Sequence, residues 1–564
     1  MPTSPSEASK QCYARIMKSP LIALVALLAA PSATPALADT LIDNANGVQV
    51  DVSGKLRRFT GIVIGDDGKV VRVLRKGQAR PATTMRIDAG GKTMLPGLID
   101  AHGHVMGLGF GALQLDLTGT TSLSDLQGRL KAYAAANPGT GWIQGRGWNQ
   151  EMWADKSFPT ATDLDAVVSD RPVWLGRVDG HAAIANSAAL KAAGVTAATV
   201  SPAGGRIENG LLVDAAMALV EGKIPAPTPA MFDAALAKAQ ELSLSNGLTA
   251  VADMGTSADD WAAMNRAGQA GTLTTRIMSY AGGMKAMKAI NGGRPSGWLY
   301  ADRLHLGGVK LYADGALGSR GAWLKAPYHD KPDTRGLRFL TDAELGAQAE
   351  QAAAAGHQLA VHAIGDAANA QVINTFEALK RRHKGDRRWR IEHLQIADPV
   401  DLKRLKPAGI IASMQPTHQT SDRAMAEARL DPARLKGAYA WRTIERLGVR
   451  LAFGSDFPVE HPNPFHGLAA AVSRQDPSGQ PPGGWRPEEK VSFVTALNGF
   501  TRGAAYAGFA EQKIGSLEPG KWADFILVDR DVAAADHKAL AATKVLETWV
   551  AGKKVFSAPA TPAR

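Results

Sequence analysis

Cysteine is almost absent: the 564-residue chain has one, Cys12. It precedes an N-terminal apolar run, so a chain processed after that run has no disulfide, no Cys nucleophile and no thiolate metal site. Any bound metal must then be held by His, Asp, Glu or Lys, which favours hard-to-borderline ions. Long hydrophobic runs are also lacking. No stretch beyond the N-terminal one approaches about 18 uninterrupted apolar residues, so no integral membrane span is expected. There is no GxSxG elbow, and Gly91-Lys92-Thr93 lacks the first glycine of a phosphate loop, which leaves a serine nucleophile or a phosphate-cradling loop without support. The net charge is +11. The densest basic run, 381–390, falls where a helix end and loop belong, so it reads as a solvated face and no nucleic-acid partner is expected.

What is present begins with a leader. Lys10, Arg15 and Lys18 precede LIALVALLAAP at 21–31, and Ala36-Leu37-Ala38 offers a small-x-small cleavage site. Residues 1–38 are therefore expected to be a signal peptide of an exported, most simply periplasmic, protein, with a retained N-terminal anchor as the alternative. The remaining length suits a large barrel with a satellite domain. From 40 to 94 short apolar segments alternate with Asp-Gly and Gly-Lys turns, which predicts a small antiparallel β unit. Matching segments at 514–529 and 545–557 predict one composite β-sandwich from 39–94 plus 511–558, with the catalytic unit, 95–510, inserted between. The tail 559–564 is expected to be disordered.

The stretch LPGLIDAHGHVMGLG, 95–109, places His102 and His104 two residues apart at the end of an apolar run. Alternation along a strand puts both imidazoles on one face, where they can share an ion. The tryptophan-rich segment that follows is too long for a simple loop and predicts a cap over 110–225. Beyond it, strand candidates at 248–254, 274–280, 304–312, 358–362, 389–393, 409–415 and 450–454 alternate with helical patterns. With the strand ending near His102 they make eight, and a (β/α)8 barrel follows. Chemistry in such a barrel collects at the C-terminal strand ends. His102, His104, Lys310, His362, His393 and Asp456 all fall there. Singly, His362 or His393 is more often a structural imidazole and Asp456 a turn residue; a lysine in an apolar strand is rarer, because burying an ammonium is costly.

The stretches LPGLIDAHGH, DGHAAIANSAAL, GVKLYADGALGSRGA, LAVHAIGDAAN, RIEHLQ, FGSDFPVE and IGSLEPGKWADFILVD together resemble the metal-dependent amidohydrolases of the amidohydrolase-3 group, over nearly all of the chain after the leader. The resemblance implies that His102, His104 and Asp456 hold one metal and His362 and His393 a second, with Lys310 carboxylated as the bridge. The cofactor is then zinc or a similar divalent ion, one or two per chain. Such an ion lowers the pKa of water towards ~7, so that metal-activated hydroxide attacks a carbonyl while Asp456 relays the proton to the departing amine. The resemblance also brings His181 near the site, to contact substrate or polarise its carbonyl, against a purely structural hydrogen bond. Trp148 and Trp153 either line an aromatic substrate pocket or form cap core. Asp314 and Arg320 either fix the loop after the fourth strand or bind a polar end of the substrate. The expected activity is cleavage of a linear amide-type C–N bond in a small molecule. A cyclic amide, carbamate or ester hydrolase on the same site is the nearest rival, and an inactive metal-bearing binding protein the more distant one; a homodimer is compatible with the sequence.

Overall fold

The computed structural model describes residues 38–177, 182–202 and 205–559. Eight parallel strands form the central sheet: β1 Leu98–Gly103, β2 Leu248–Thr256, β3 Arg276–Gly282, β4 Leu304–Tyr312, β5 Gln358–Ala363, β6 Arg390–His393, β7 Ile411–Met414 and β8 Leu451–Phe453. They are hydrogen-bonded in strict chain order from β1 to β8. Every residue of β1, β6, β7 and β8 is buried, as expected for strands covered on both faces. Helices lie between the strands, and local sequence explains where they start. Asp342–Ala354 opens with a capping box in which Thr341 and Glu344 satisfy each other's backbone N–H groups, a device that contributes about 1 kcal/mol. Pro399–Ala408 carries proline in its first turn and ends on Gly409 at φ 75°.

β8 and β1 close the barrel through their ends rather than by a ladder. Asp456 N donates to His102 O at 2.7 Å, and His104 N to Phe457 O at 2.8 Å. Beneath them the buried Asp100 carboxylate accepts from Ser455 N, Ser455 Oγ and His102 N. The seam therefore joins the residues next to His102 directly to those next to Asp456.

Two further sheets draw on the first and last parts of the described chain. One has the order Val70–Leu74, Gly61–Ile64, Ala38–Asp43, Thr83–Asp88; the other Lys553–Ser557, Val545–Val550, Phe525–Val528, Thr93–Pro96, Asn46–Val50, Leu56–Phe59. They pack on one core that includes Ile42, Ile62, Phe59, Met94, Phe525 and Trp549. The expectation of an antiparallel unit needs correction. Ala38–Asp43 pairs with Thr83–Asp88 in parallel, and so does Asn46–Val50 with Thr93–Pro96, because in each case the chain crosses to the other sheet before returning. Arg276 at the start of β3 makes a buried two-point ion pair with Asp524, at 2.6 and 3.0 Å, which binds the barrel to this unit. Between β1 and β2 the chain builds a second six-stranded sheet from segments within 115–214. Among the described residues no helix is long and apolar enough to cross a membrane. Residues 1–37 of the expected leader and residues 560–564 lie outside the described residues, while Ala38, the expected last residue of the leader, begins the strand Ala38–Asp43.

Candidate metal centre

The strand ends bring the predicted groups together. Asp456, at φ 63° just past β8, holds Oδ1 3.0 Å from His104 Nε2 and 3.3 Å from His102 Nε2. Its other oxygen lies 3.1 Å from His418 Nε2. Lys310, from β4, sets Nζ 3.2 Å from His102 Nε2. The His393 ring, from the end of β6, lies 4.7 Å from that of His102, 4.5 Å from that of His362 and 5.9 Å from that of His418. Two triples bring one potential ligand atom from each residue within 4.8 Å of the others: His102, His104 and Asp456, and His393, His418 and Asp456.

Burial sets the protonation of these groups. It pulls His102 down to about 4 and His362 to about 3, with the charge of Lys310 adding to both effects, and it drives His393 well below its ordinary value. These imidazoles are therefore neutral at pH 7 and keep a lone pair for a cation. Burial also lowers Lys310 to about 8, against the pull of Glu392 and Asp456. Asp456 is the reverse case. Burial alone would raise it, but the charge of His102 and the hydrogen bonds of His104 and His418 hold it well below the carboxylate range.

The donor set fits a zinc-class ion. Bonds of 2.0–2.1 Å arranged tetrahedrally place neighbouring ligand atoms about 3.3 Å apart, and the His102, His104 and Asp456 contacts are 3.0 and 3.3 Å. His102 commits Nδ1 to Glu392 Oε2 at 2.6 Å, which leaves Nε2 as the free lone pair on the side of Asp456. Buried His362 Nε2 has no hydrogen-bond partner, an unusual cost for a polar atom unless something binds it.

Several participants were not foreseen. Glu392 is fully buried against His102; its only signal is a pair of charges, Arg390 and Glu392, two residues apart in a core strand. His418 sits in the first turn of Pro416–Arg429, directly after β7, between Asp456 and Glu460 Oε1 at 3.1 Å. Burial opposes its protonation, but its hydrogen bonds to Asp456 and Glu460 win and push it up to about 10. The position after a strand end was the available clue. Gln415 accepts from His393 Nδ1 at 2.8 Å, and Tyr312 lies beside His362, with ring centroids 5.5 Å apart.

Other expectations are redirected. Trp148 and Trp153 belong to the hydrophobic core of the sheet between β1 and β2: they are 0% and 2% exposed, and their indole N–H groups are used by Leu175 O and Thr120 O. Asp314 is buried and accepts backbone N–H groups from Trp323, Ile364 and Gly365. It pins the loop after β4 to the end of β5, and its Oδ1 lies 3.6 Å from His362 Nε2. Arg320 is turned to Asp330 at 2.7 Å and likewise serves the loop. His181 lies outside the described residues.

A family model described as "Amidohydrolase family" matches residues 86–556. The putative amidohydrolase YtcJ of Bacillus subtilis (strain 168) is 32% identical over 492 residues, 84% of this chain and 90% of that protein. The N-substituted formamide deformylase of Arthrobacter pascens is 27% identical over 555 residues, 91% of this chain and 97% of that protein. Among solved structures, an uncharacterized metal-dependent hydrolase from Pyrococcus horikoshii OT3 superposes with a TM-score of 0.74 at 28% identity, covering 88% of this chain and 99% of its own.

Proposed function

Because the chain belongs to the amidohydrolase family, in its amidohydrolase-3 group, we propose that it hydrolyses a linear amide-type C–N bond of a small molecule. The observation that carries this reading is the placement of Asp456, one oxygen against His104 and the other against His418. His102, His104 and Asp456 would hold one divalent ion, and His362 and His393 a second; a carboxylated Lys310 would join them. When bound, an ion of this class polarises the substrate carbonyl and makes water a stronger acid.

The remaining work falls to the chain itself. Asp456 stays ionised at neutral pH and so can take the proton of the attacking water, then return it to the departing amine. His418 bonds Oδ2 and fixes the rotation of that carboxylate, and Glu460 and Ser421 in turn hold His418 and Glu460 in place. The walls around His102, His393 and Lys310 are closed to solvent, which strengthens every electrostatic contact made there. The relative named as a deformylase of N-substituted formamides points to N-formyl and N-acyl amines as first substrates, and the N-terminal leader supports export.

The test is a hydrolysis screen of N-formyl and N-acyl amines, cyclic amides and esters, paired with metal analysis and chelation. Release of amine that is lost to chelator and restored by zinc is the expected result. An Asp456→Asn variant that keeps its metal and full activity would refute the proton role, and turnover confined to cyclic amides or esters would replace the linear-amide reading.

A further inference from the structure

A barrel of this kind normally fills its interior with layers of apolar side chains. Here an ionic cluster is set among such side chains, which include Ile99, Ala252, Met278 and Ile411. Arg390 and Glu392, neighbours on one face of β6, are both fully buried. Arg390 Nε donates to Glu392 Oε1 at 2.6 Å, and Nη2 to Glu392 Oε2 at 3.2 Å. Nη2 also donates to Ala101 O and Ser413 Oγ, each at 2.6 Å, and Nη1 to Tyr280 OH at 3.2 Å. The Tyr280 hydroxyl in turn donates to Gln358 Oε1 at 2.5 Å. One guanidinium is thus gripped from β1, β3, β6 and β7, and the chain of bonds reaches β5.

Such a pair is poorly explained as a stabiliser. Two charges taken out of water regain little more than their desolvation cost, and apolar residues of the same volume often serve a fold as well or better. What distinguishes this pair is its far end. Glu392 Oε2 accepts the Nδ1 proton of His102 at 2.6 Å, and the opposite ring nitrogen is the one that faces Asp456 and Lys310. A carboxylate on one imidazole nitrogen fixes the tautomer and the ring orientation, and makes the other nitrogen a better donor to a metal.

We propose that Arg390 and Glu392 are positioning residues for His102, retained to secure metal affinity rather than to hold the barrel together. Glu392 aims the ring; Arg390, anchored to four strands, keeps Glu392 where it must be. The proposal rests on the metal-dependent reading above, and the experiment separates the two.

Full-length wild-type protein, Glu392→Gln, and the double variant Arg390→Met/Glu392→Leu are compared by zinc competition against a chromogenic chelator, by the visible spectrum of the cobalt-substituted protein and by urea unfolding. Glu392→Gln should weaken zinc binding by about 10–100-fold and alter the cobalt spectrum. The double variant should unfold at a urea concentration equal to or above that of wild type and yet show the same loss of affinity. A folded double variant that binds zinc within about threefold of wild type, against the 10–100-fold loss expected, overturns the proposal. A double variant that cannot fold overturns it too, since the pair would then be a stability element. Wild-type protein that takes up no zinc is a different failure, of the metal-dependent reading itself, and is seen before any variant is compared.

Discussion

Gly454 links barrel closure to the metal centre, and Gly454→Ala measures the link. A β carbon there would lie 2.5 Å from His102 N and 3.1 Å from Ala101 N, where ordinary contacts begin at 3.4 Å. The Asp100 carboxylate, itself held by Ser455 and His102 N, is also in the way, and beside it stands β1 backbone, which cannot rotate away as a side chain can. β8 and β1 must therefore part by nearly 1 Å, the difference between 2.5 and 3.4 Å. The same seam carries the 2.7 Å bond from Asp456 N to His102 O and, through it, the 3.0 Å approach of Asp456 to His104. Overpacking of this size costs about 1–3 kcal/mol of stability, and a catalytic group displaced by 1 Å loses about 100-fold in rate. Urea unfolding, zinc affinity and kcat/KM on the best substrate of the screen read the three effects. The control is Gly128→Ala in the helix Leu123–Ala136, where a β carbon meets nothing within 4 Å; it should stabilise by about 0.5–1 kcal/mol and leave activity unchanged. A Gly454→Ala enzyme with wild-type stability and zinc affinity would refute the seam argument.

Other outcomes follow from the same structure. Arg276→Met strands a buried carboxylate at Asp524 and should cost about 3–5 kcal/mol, whereas Arg276→Met/Asp524→Leu, with no charge left behind, should recover about half of that in urea unfolding. In metal-free protein the folded state raises His418 to about 10 from 6.5. Its contribution to stability is complete below pH 6.5 and lost as pH rises through 10, so the urea midpoint should fall across that window and His418→Gln should flatten the fall. Zinc at about 100 times its dissociation constant should stabilise the protein by about 2.7 kcal/mol, which differential scanning calorimetry with and without chelator can check; no shift would count against the donor set described. Asp314→Asn should destabilise the loop after β4, because its amide turns a donor towards backbone N–H groups; limited proteolysis between 313 and 341 reads this directly.

The barrel was legible because each of its strands carries its own signal. Residues 304–312 form the predicted strand end to end, and the others begin within two residues of the expected start; a run buried on both faces needs no knowledge of its partners to be recognised. The parallel pairings in the terminal sheets were not legible, since alternation in Asn46–Val50 says which residues face inward but not which strand will lie alongside. The site divides in the same way. His102, His104, Lys310 and Asp456 announce themselves by residue type at strand ends, whereas Glu392 matters only through a contact with a residue 290 positions away. The indoles of Trp148 and Trp153 illustrate a third limit: an aromatic side chain looks the same in sequence whether its N–H meets a ligand or a carbonyl of its own domain.

The strand that leads into the histidine pair is clasped by the far end of the chain. Thr93–Pro96 runs straight into β1 and is paired along its length with Phe525–Val528, while Gly97 N donates to Asp524 O at 2.8 Å. During synthesis this clasp has to wait for more than four hundred intervening residues. Until they are made, the approach to His102 is missing one of its two flanking strands, and the positions of both imidazoles are correspondingly loose. Full support of the histidine pair is thus an event of the finished polypeptide, and a half-made chain lacks it.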